Sequence, residues 1–312
     1  MRRFHAGVVG RPVKPQTSKA PRAGRPGIAW AIPGVLFFAF FAAAPMGIVA
    51  YLSFTDWDGL SDPSWTGLDN WTRLWEDDGM RNAVWLSLLL TALTWLTQTP
   101  ITLLLGVWAA GRQRNRAVLS AVFFLPLLAS SVALALLWRT IFDPNFGLAA
   151  DIADWFDLES ADLLGSSRGA FAAILFVTGW QFIPFHMLIY QGGARQIPRS
   201  FYDAASIDGA GTVRQFFHIT LPQLRNTIVT STVLMVVGAL TYFDTVLILT
   251  RGGPGDATEI VPYLMYDTGF AAFDLGYASA IACALVVVAT TASLLLVRLT
   301  GFTRMRSTRE GM

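Results

Sequence analysis

The chain has 312 residues, of which 54% are hydrophobic and 14% charged, with a mean hydropathy of +0.48 and a formal charge of +2. A soluble domain of this size carries roughly a quarter charged residues, so most of the chain does not face water. The single cysteine, Cys283, excludes a disulfide framework and a cysteine metal site.

Residues 1–27 hold Arg2, Arg3, Arg11, Lys14, Lys19, Arg22 and Arg25 with no acid and several Pro and Gly, the composition of a disordered basic tail. Six apolar runs follow, near 28–53, 82–110, 117–141, 168–190, 226–250 and 276–299, the fourth weaker than the others. Each has about 20 residues or more, enough to cross a ~30 Å hydrocarbon core. The first run is longer than the roughly 7–15 apolar residues of a cleaved signal, so it is read as a span. The expected fold is an all-α membrane protein with six transmembrane helices over residues 28–303. A disordered tail (1–27) precedes them and a short tail (304–312) follows.

Charge gives the orientation. The tail, 111–116, 191–226 and the end from Arg298 hold eighteen of the 23 Lys and Arg, against three acids. The segments 54–81, 139–168 and 251–275 hold five Arg and seventeen acids. The positive-inside rule therefore predicts cytoplasmic termini and a cytoplasmic 191–226 loop. The one remaining acid, Asp244, lies within the fifth run, and an acid there is a functional candidate by default.

Several chemistries are missing. Lys14 and Lys19 are the only lysines, so no Gly-rich loop is followed by the lysine that a phosphate-binding loop requires. The segment Arg251-Gly252-Gly253-Pro254-Gly255 reads as a turn. His5, His186 and His218 show no ligand spacing, and His186, the only one within a run, reads as a packed or hydrogen-bonded ring. No catalytic residue and no metal site is expected.

The 195–222 loop is the most informative segment. Pro198 restricts the entry, Ser200 is placed to cap a helix with Asp203 three positions on, and Gly209 and Gly211 are placed to stop it in a left-handed conformation. That predicts a helix of about nine residues, roughly 13 Å long. Ala204 and Ala205 allow another surface to approach. Phe201, Tyr202 and Ile207 are apolar at a cytoplasmic position, as though covered by a partner. A second short helix follows over 212–218, and Leu221-Pro222 is expected to open the next span.

Asp203-Ala204-Ala205, then Gly209, then Ile219-Thr220-Leu221-Pro222 resembles the permease loop of binding-protein-dependent ABC importers. That pattern reads Glu-Ala-Ala, three residues, Gly, nine residues, Ile-x-Leu-Pro; both gaps are intact, and Asp203 replaces the glutamate. The resemblance implies an ATPase-coupling loop built from Tyr202, Asp203, Ala204, Ala205, Asp208, Gly209, Ile219, Leu221 and Pro222. Its short helix, between spans four and five, would dock into a groove on the cytoplasmic ATPase. ATP and Mg would reside on that partner, with no cofactor in this chain. Further implied partners are a second homologous permease, two ATPase subunits in all, an extracytoplasmic solute-binding protein and the lipid bilayer of the bacterial plasma membrane. No nucleic acid is implied.

The stretches YLSFTDWD (51–58), GLDNWTRL (67–74), FDTVLILTRGGP (243–254) and LGYASAI (275–281) resemble the carbohydrate branch, similar to the maltose-type and glycerol-phosphate-type first permease subunit. The cargo implied is a sugar or related polyol. Sugar sites combine aromatic faces with a few orienting polar groups. Thr178, Gln181, Phe182 and Phe185 in the fourth run, with Met235, Gly238, Ala239 and Tyr242 in the fifth, lie where the resemblance puts the pore lining; Asp244 is added as the intramembrane acid. The rival reading is an ion-coupled secondary transporter, which normally carries several intramembrane carboxylates.

Overall fold

The computed structural model describes residues 28–111, 114–155 and 162–299. The predicted tails at 1–27 and 304–312 lie outside the described residues. Two compact units divide after Gly47. In the first, a 3-10 turn, Ile28–Ala31, leads into α1 (Ile32–Leu52), which carries a π turn at Ala39–Ala43 and whose residues from Ile48 on belong to the second unit. No residue from Trp30 to Gly47 is buried, and Phe37, Phe38, Phe40 and Phe41 all present their rings outward. Such a surface is stable against hydrocarbon rather than water.

The second unit begins with a two-residue antiparallel pair, Thr55–Asp56 with Ser64–Trp65, and α2 (Asp69–Glu76). The long α3 (Asp78–Ala109) follows, its first turn capped by the Asp77 carboxylate, which accepts from the Gly79 amide at 2.8 Å. After it come α4 (Arg114–Phe123), α5 (Leu125–Leu128), α6 (Ser131–Ile141) and α7 (Leu148–Trp155). The second long helix is α8 (Ser167–Arg195). Then come α9 (Arg199–Ile207), α10 (Thr212–Gln223) and α11 (Arg225–Leu240). The chain ends with α12 (Asp244–Leu249), α13 (Val261–Tyr266) and α14 (Leu275–Leu299). Among the described residues four helices, α1, α3, α8 and α14, are long and apolar enough to cross a membrane, and five if the bent pair α10 and α11 counts as one span.

The centre of the unit is α3 against α8. Lipid tails are as apolar as leucine, so close backbone approach and internal polar bonding replace the hydrophobic drive between spans. Gly106 shows this: a Cβ there would sit 2.5 Å from Tyr190 Cβ and 2.8 Å from the Met187 carbonyl oxygen. The buried hydroxyls of Thr102 and Thr178 donate to carbonyls of their own helices, Gln98 at 2.8 Å and Ile174 at 2.7 Å. One apolar cluster joins Leu86 and Leu90 of α3 to Ile174 and Val177 of α8 and Val246 of α12. A second joins Leu74 of α2, Ala83 of α3, Val261 of α13 and Ile281 of α14. At the end of α14 that bears this cluster, Arg73 pairs with Asp274 at 2.6 Å and lies 3.9 Å over the Tyr277 ring, while Tyr277 donates to Asp77 at 2.8 Å.

Two of the six predicted runs are not single helices. The run expected at 117–141 is divided into α4, α5 and α6. Pro126 has no amide to bond the α4 turn before it, so it starts a new helix instead, and Ala129 is extended (φ −85°, ψ 151°). The run expected at 226–250 is divided into α11 and α12. Thr241 Oγ1 donates to the carbonyls of both Val237 and Gly238 at 3.1 Å. Such back-bonding bends helices by offering their last carbonyls another donor. The Arg251–Gly255 segment is the turn the sequence predicts.

Candidate functional site

The loop between α8 and α11 is a closed hairpin of two short helices. α9 begins at Arg199, with Pro198 as its N-cap at φ −60° and ψ 134° and no side-chain cap. This corrects the expectation that Ser200 caps the helix: Pro198 already fixes the extended entry, so the helix starts earlier and Ser200 lies inside it. α9 stops at Gly209, which adopts φ +73°, a conformation that costs a glycine little and other residues roughly 1–2 kcal/mol. The Gly209 amide donates to the Ser206 carbonyl at 3.1 Å and Ala210 to Ala205 at 2.8 Å, closing the helix end. Gly211, expected to be left-handed, is extended at φ −69° and ψ 167°, because it is the N-cap of α10.

α10 then turns back along α9. Gln215 Nε2 donates to Ser206 Oγ at 3.1 Å and to the Ala210 carbonyl at 2.8 Å. The Tyr202 and Thr220 hydroxyls meet at 2.9 Å. Pro222 lies within α10 and does not open the next span; α11 starts at Arg225, after a 68° elbow centred on Leu224. Leu224 is fully buried with Leu103 of α3 and Tyr190 of α8, and Phe216 and Leu221 pack against them. The inner side of the hairpin is thereby anchored to the bundle.

Its outer side is not covered. Asp203, Ala204, Asp208 and Gly209 are exposed, and Ala205 is half-buried. Ile207 is 87%, Val213 72% and Phe217 57% exposed. The hairpin thus holds apolar side chains outward as an exposed patch. Ile219 is half-buried.

A cavity of about 470 Å³ lies between α8 and the two helix breaks, within the usual size of a small-ligand site. Phe182 and Phe185 of α8 form one wall; Leu234, Met235 and Gly238 of α11 form another. The breaks supply Leu127 and Ser131 on one side and Thr241, Tyr242, Phe243, Asp244 and Thr245 on the other. Phe182 and Tyr242 stack with centroids 5.6 Å apart and planes at 21°. Non-helical backbone at membrane depth is tolerated where it lines a cavity, and both unpredicted breaks do so.

Six of the residues singled out in the sequence line this cavity: Phe182, Phe185, Met235, Gly238, Tyr242 and Asp244. Thr178, Gln181 and Ala239 do not. Thr178 and Ala239 are buried between helices. Gln181, also buried, donates through Nε2 to Ser131 Oγ at 3.0 Å, so it acts on the cavity only through Ser131. Sequence reasoning missed Ser131 and Thr241. The signal was available for Ser131 and Thr241 in the Pro126 and hydroxyl-rich interruptions of otherwise apolar runs. His186 is the buried, hydrogen-bonded ring that the sequence predicts, with Nδ1 2.9 Å from Ser231 Oγ, and it also lines the cavity. No cluster of His, Cys, Asp or Glu suited to a metal occurs among the described residues.

The family model described as "Binding-protein-dependent transport system inner membrane component" matches residues 102–304. The chain is 31% identical over 265 residues to the probable ABC transporter permease protein YurN of Bacillus subtilis, covering 83% of this chain and 91% of that one. It is 30% identical over 267 residues to the multiple sugar-binding transport system permease protein MsmF of Streptococcus mutans, covering 85% and 90%. Its fold matches a solved chain of a bacterial ABC transporter involved in the import of the acidic polysaccharide alginate. The TM-score is 0.78 and the identity 22%, with 89% of this chain and 95% of that chain covered.

Proposed function

The chain belongs to the family of inner membrane components of binding-protein-dependent transport systems, as a multi-pass permease subunit of an ABC importer, and we propose that its cargo is an uncharged sugar or related polyol. The observation that carries this reading is the cavity at the two helix breaks. The stacked Phe182 and Tyr242 rings offer the flat apolar faces that pyranose rings favour, and Ser131, Thr241 and His186 supply orienting polar groups. Asp244 is the only carboxylate in the lining and no Lys or Arg is present there. A carboxylate with no cation opposite it repels an anionic cargo, which favours neutral carbohydrate over acidic or phosphorylated sugars.

The working arrangement has six spans, both termini and the α9–α10 hairpin in the cytoplasm, and the acidic loops outside. It is supported by the charge distribution, with eighteen of 23 basic residues on one side. The third and fifth spans are broken helices, as substrate-binding spans of transporters often are. A second, related permease completes the pore. Two ATPase subunits, which carry ATP and Mg, bind beneath the permease pair, one of them docking on the outer face of this hairpin, and a solute-binding protein delivers cargo from outside.

Coupling then has a physical route. Displacement of α9 passes through the Tyr202–Thr220 contact and the Leu221 anchor into the elbow at Leu224. α11 is about 24 Å long by its helical rise, and its far end carries Tyr242. Rotation at the elbow slides Tyr242 along Phe182 and switches the access of the cavity, a shift of packed helices.

The test is uptake of labelled glucose, maltose, lactose and glucuronate by cells that hold the complete transporter. We expect uptake of a neutral sugar that disappears when the partner ATPase loses its phosphate-binding lysine and persists with a protonophore. Uptake that collapses with the protonophore alone, or that is confined to glucuronate, overturns the reading.

A further inference from the structure

We propose that His186 is a direct contact of the carried sugar, its Nε2 forming a hydrogen bond with one sugar hydroxyl in the cavity. The inference rests on the cavity being the cargo pathway. His186 is 5% exposed and is the only histidine within the predicted spans. An ionisable side chain at such depth is costly and is generally functional.

The ring is held from two sides. Nδ1 lies 2.9 Å from the hydroxyl of Ser231, itself fully buried on α11. The Phe185 ring meets the imidazole edge-on, with centroids 5.2 Å apart. With Nδ1 and the ring plane so fixed, the second nitrogen has a set direction, and it donates when Nδ1 accepts from Ser231 and accepts when Nδ1 donates to it. Among the described residues Nε2 has no protein partner, while the ring lines the cavity. A ring nitrogen that opens on the cavity bonds what the cavity holds. Beside it, Phe182 and Tyr242 stack and so position a sugar ring with its hydroxyl edge free to meet the imidazole.

The competing role is structural, with His186 serving only to tie α8 to α11 through Ser231. The two roles separate experimentally. The probe is the best carried of glucose, maltose and lactose, with its single-deoxy analogues, measured as uptake rate at saturating sugar in the complete transporter, normalised to the amount of permease in the membrane. His186→Leu is expected to lower the rate about tenfold, the effect of one lost hydrogen bond in a buried site. One deoxy analogue, lacking the contacted hydroxyl, is expected to be carried about tenfold more slowly by the unaltered permease yet no more slowly than the parent sugar by His186→Leu. Ser231→Ala is expected to cost about threefold or less, and His186→Gln, which keeps a donor and an acceptor, to recover most of the rate. A structural role predicts instead that Ser231→Ala matches His186→Leu and that every deoxy analogue is slowed by the same factor in both backgrounds; either result overturns the inference. Phe182→Ala separates its failure from failure of the pathway reading. If Phe182→Ala slows uptake and His186→Leu does not, only the His186 contact is wrong. If neither slows it, the cavity is not the route.

Discussion

The α9–α10 hairpin and the cavity are built on opposite plans. The hairpin is local: residues 198–224 make their own hydrogen bonds, from Gln215 to Ser206 and from Tyr202 to Thr220, and they leave apolar groups outside. The cavity is non-local: it draws on residues from Leu127 to Thr245, its helices stop short, and its polar groups are inside. One region is tied together by its own hydrogen bonds with apolar groups exposed; the other is an interrupted set of helices lining a cavity. In the proposed mechanism, a stiff element at one end of α11 and an interrupted one at the other convert a push at the loop into a change of access.

The largest effect is expected where stiffness depends on one backbone conformation. Gly209→Val leaves packing untouched, since a Cβ at Gly209 meets nothing within 4 Å. It does force a β-branched residue to φ +73°, at a cost of roughly 1–2 kcal/mol or more, and the helix end must rearrange. Uptake should fall at least tenfold while the permease remains in the membrane at its normal level, as measured by labelled-sugar uptake beside immunoblotting. Gly209→Asn should be milder, because Asn tolerates the left-handed region. Equal and full activity of both variants would break the claim that the hairpin acts as a rigid part.

The next effect falls on the cavity. Phe182→Ala removes one face of the stack with Tyr242, and uptake should drop by about tenfold, in keeping with the roughly 0.5–1.5 kcal/mol of an aromatic pair together with the lost sugar face. Phe182→Ala combined with Tyr242→Ala should fall well short of the product of the two single effects, because both residues make one surface. Multiplicative losses would mean that the rings act separately and that no shared wall exists. A smaller effect is expected for Tyr202→Phe, which deletes only the hydroxyl that meets Thr220. At about 1 kcal/mol for a part-buried hydrogen bond, uptake should fall by roughly threefold to fivefold. No change would shift the weight of coupling to the Leu221 and Leu224 anchor.

The same contrast explains what the sequence made legible. The hairpin could be read in order because its determinants are neighbours in the chain: Pro198, Asp203-Ala204-Ala205, Gly209 and Leu221-Pro222. The remaining errors there were shifts in role, with Ser200 displaced as cap by Pro198 and Pro222 absorbed into α10. In the cavity, helical spacing was sufficient for Phe182, Phe185 and Met235, which project from regular helix, and Tyr242 lines it from the break just past the end of α11. It failed for Thr178, Gln181 and Ala239, because the helix neighbours that cover them lie far away in sequence. It also failed for Ser131 and Thr241, because an apolar average hides a break of three or four residues. His186 carried a visible signal, a lone ionisable group in a span, but not the knowledge that Ser231 would occupy Nδ1 and leave Nε2 for the cavity.

The smallest effect is expected in the turn after α12, which belongs to neither region and so serves as a control for both. Burial there, reinforced by the carboxylates of Asp256, Asp267 and Asp77, raises the Glu259 side chain to about 7 from its ordinary 4.5. Its folded form therefore holds a proton more tightly than its unfolded form. The stabilising contribution of that proton is complete below about pH 4.5 and is lost as pH rises through 7, since the native state then binds more protons than the unfolded state throughout the window. Glu259 is only half-buried, so solvent screening reduces the effect, and a change in Tm on the order of one to two degrees between pH 5 and pH 7.5 is expected for the purified permease. Glu259→Gln should remove that slope and hold the stability at its acid-side value, with uptake at pH 7 changed by less than about twofold, because Glu259 touches neither the hairpin nor the cavity lining. An uptake loss as large as that of Gly209→Val would mean that the outer turn takes part in the switch, and the two-region division of the permease would have to become three.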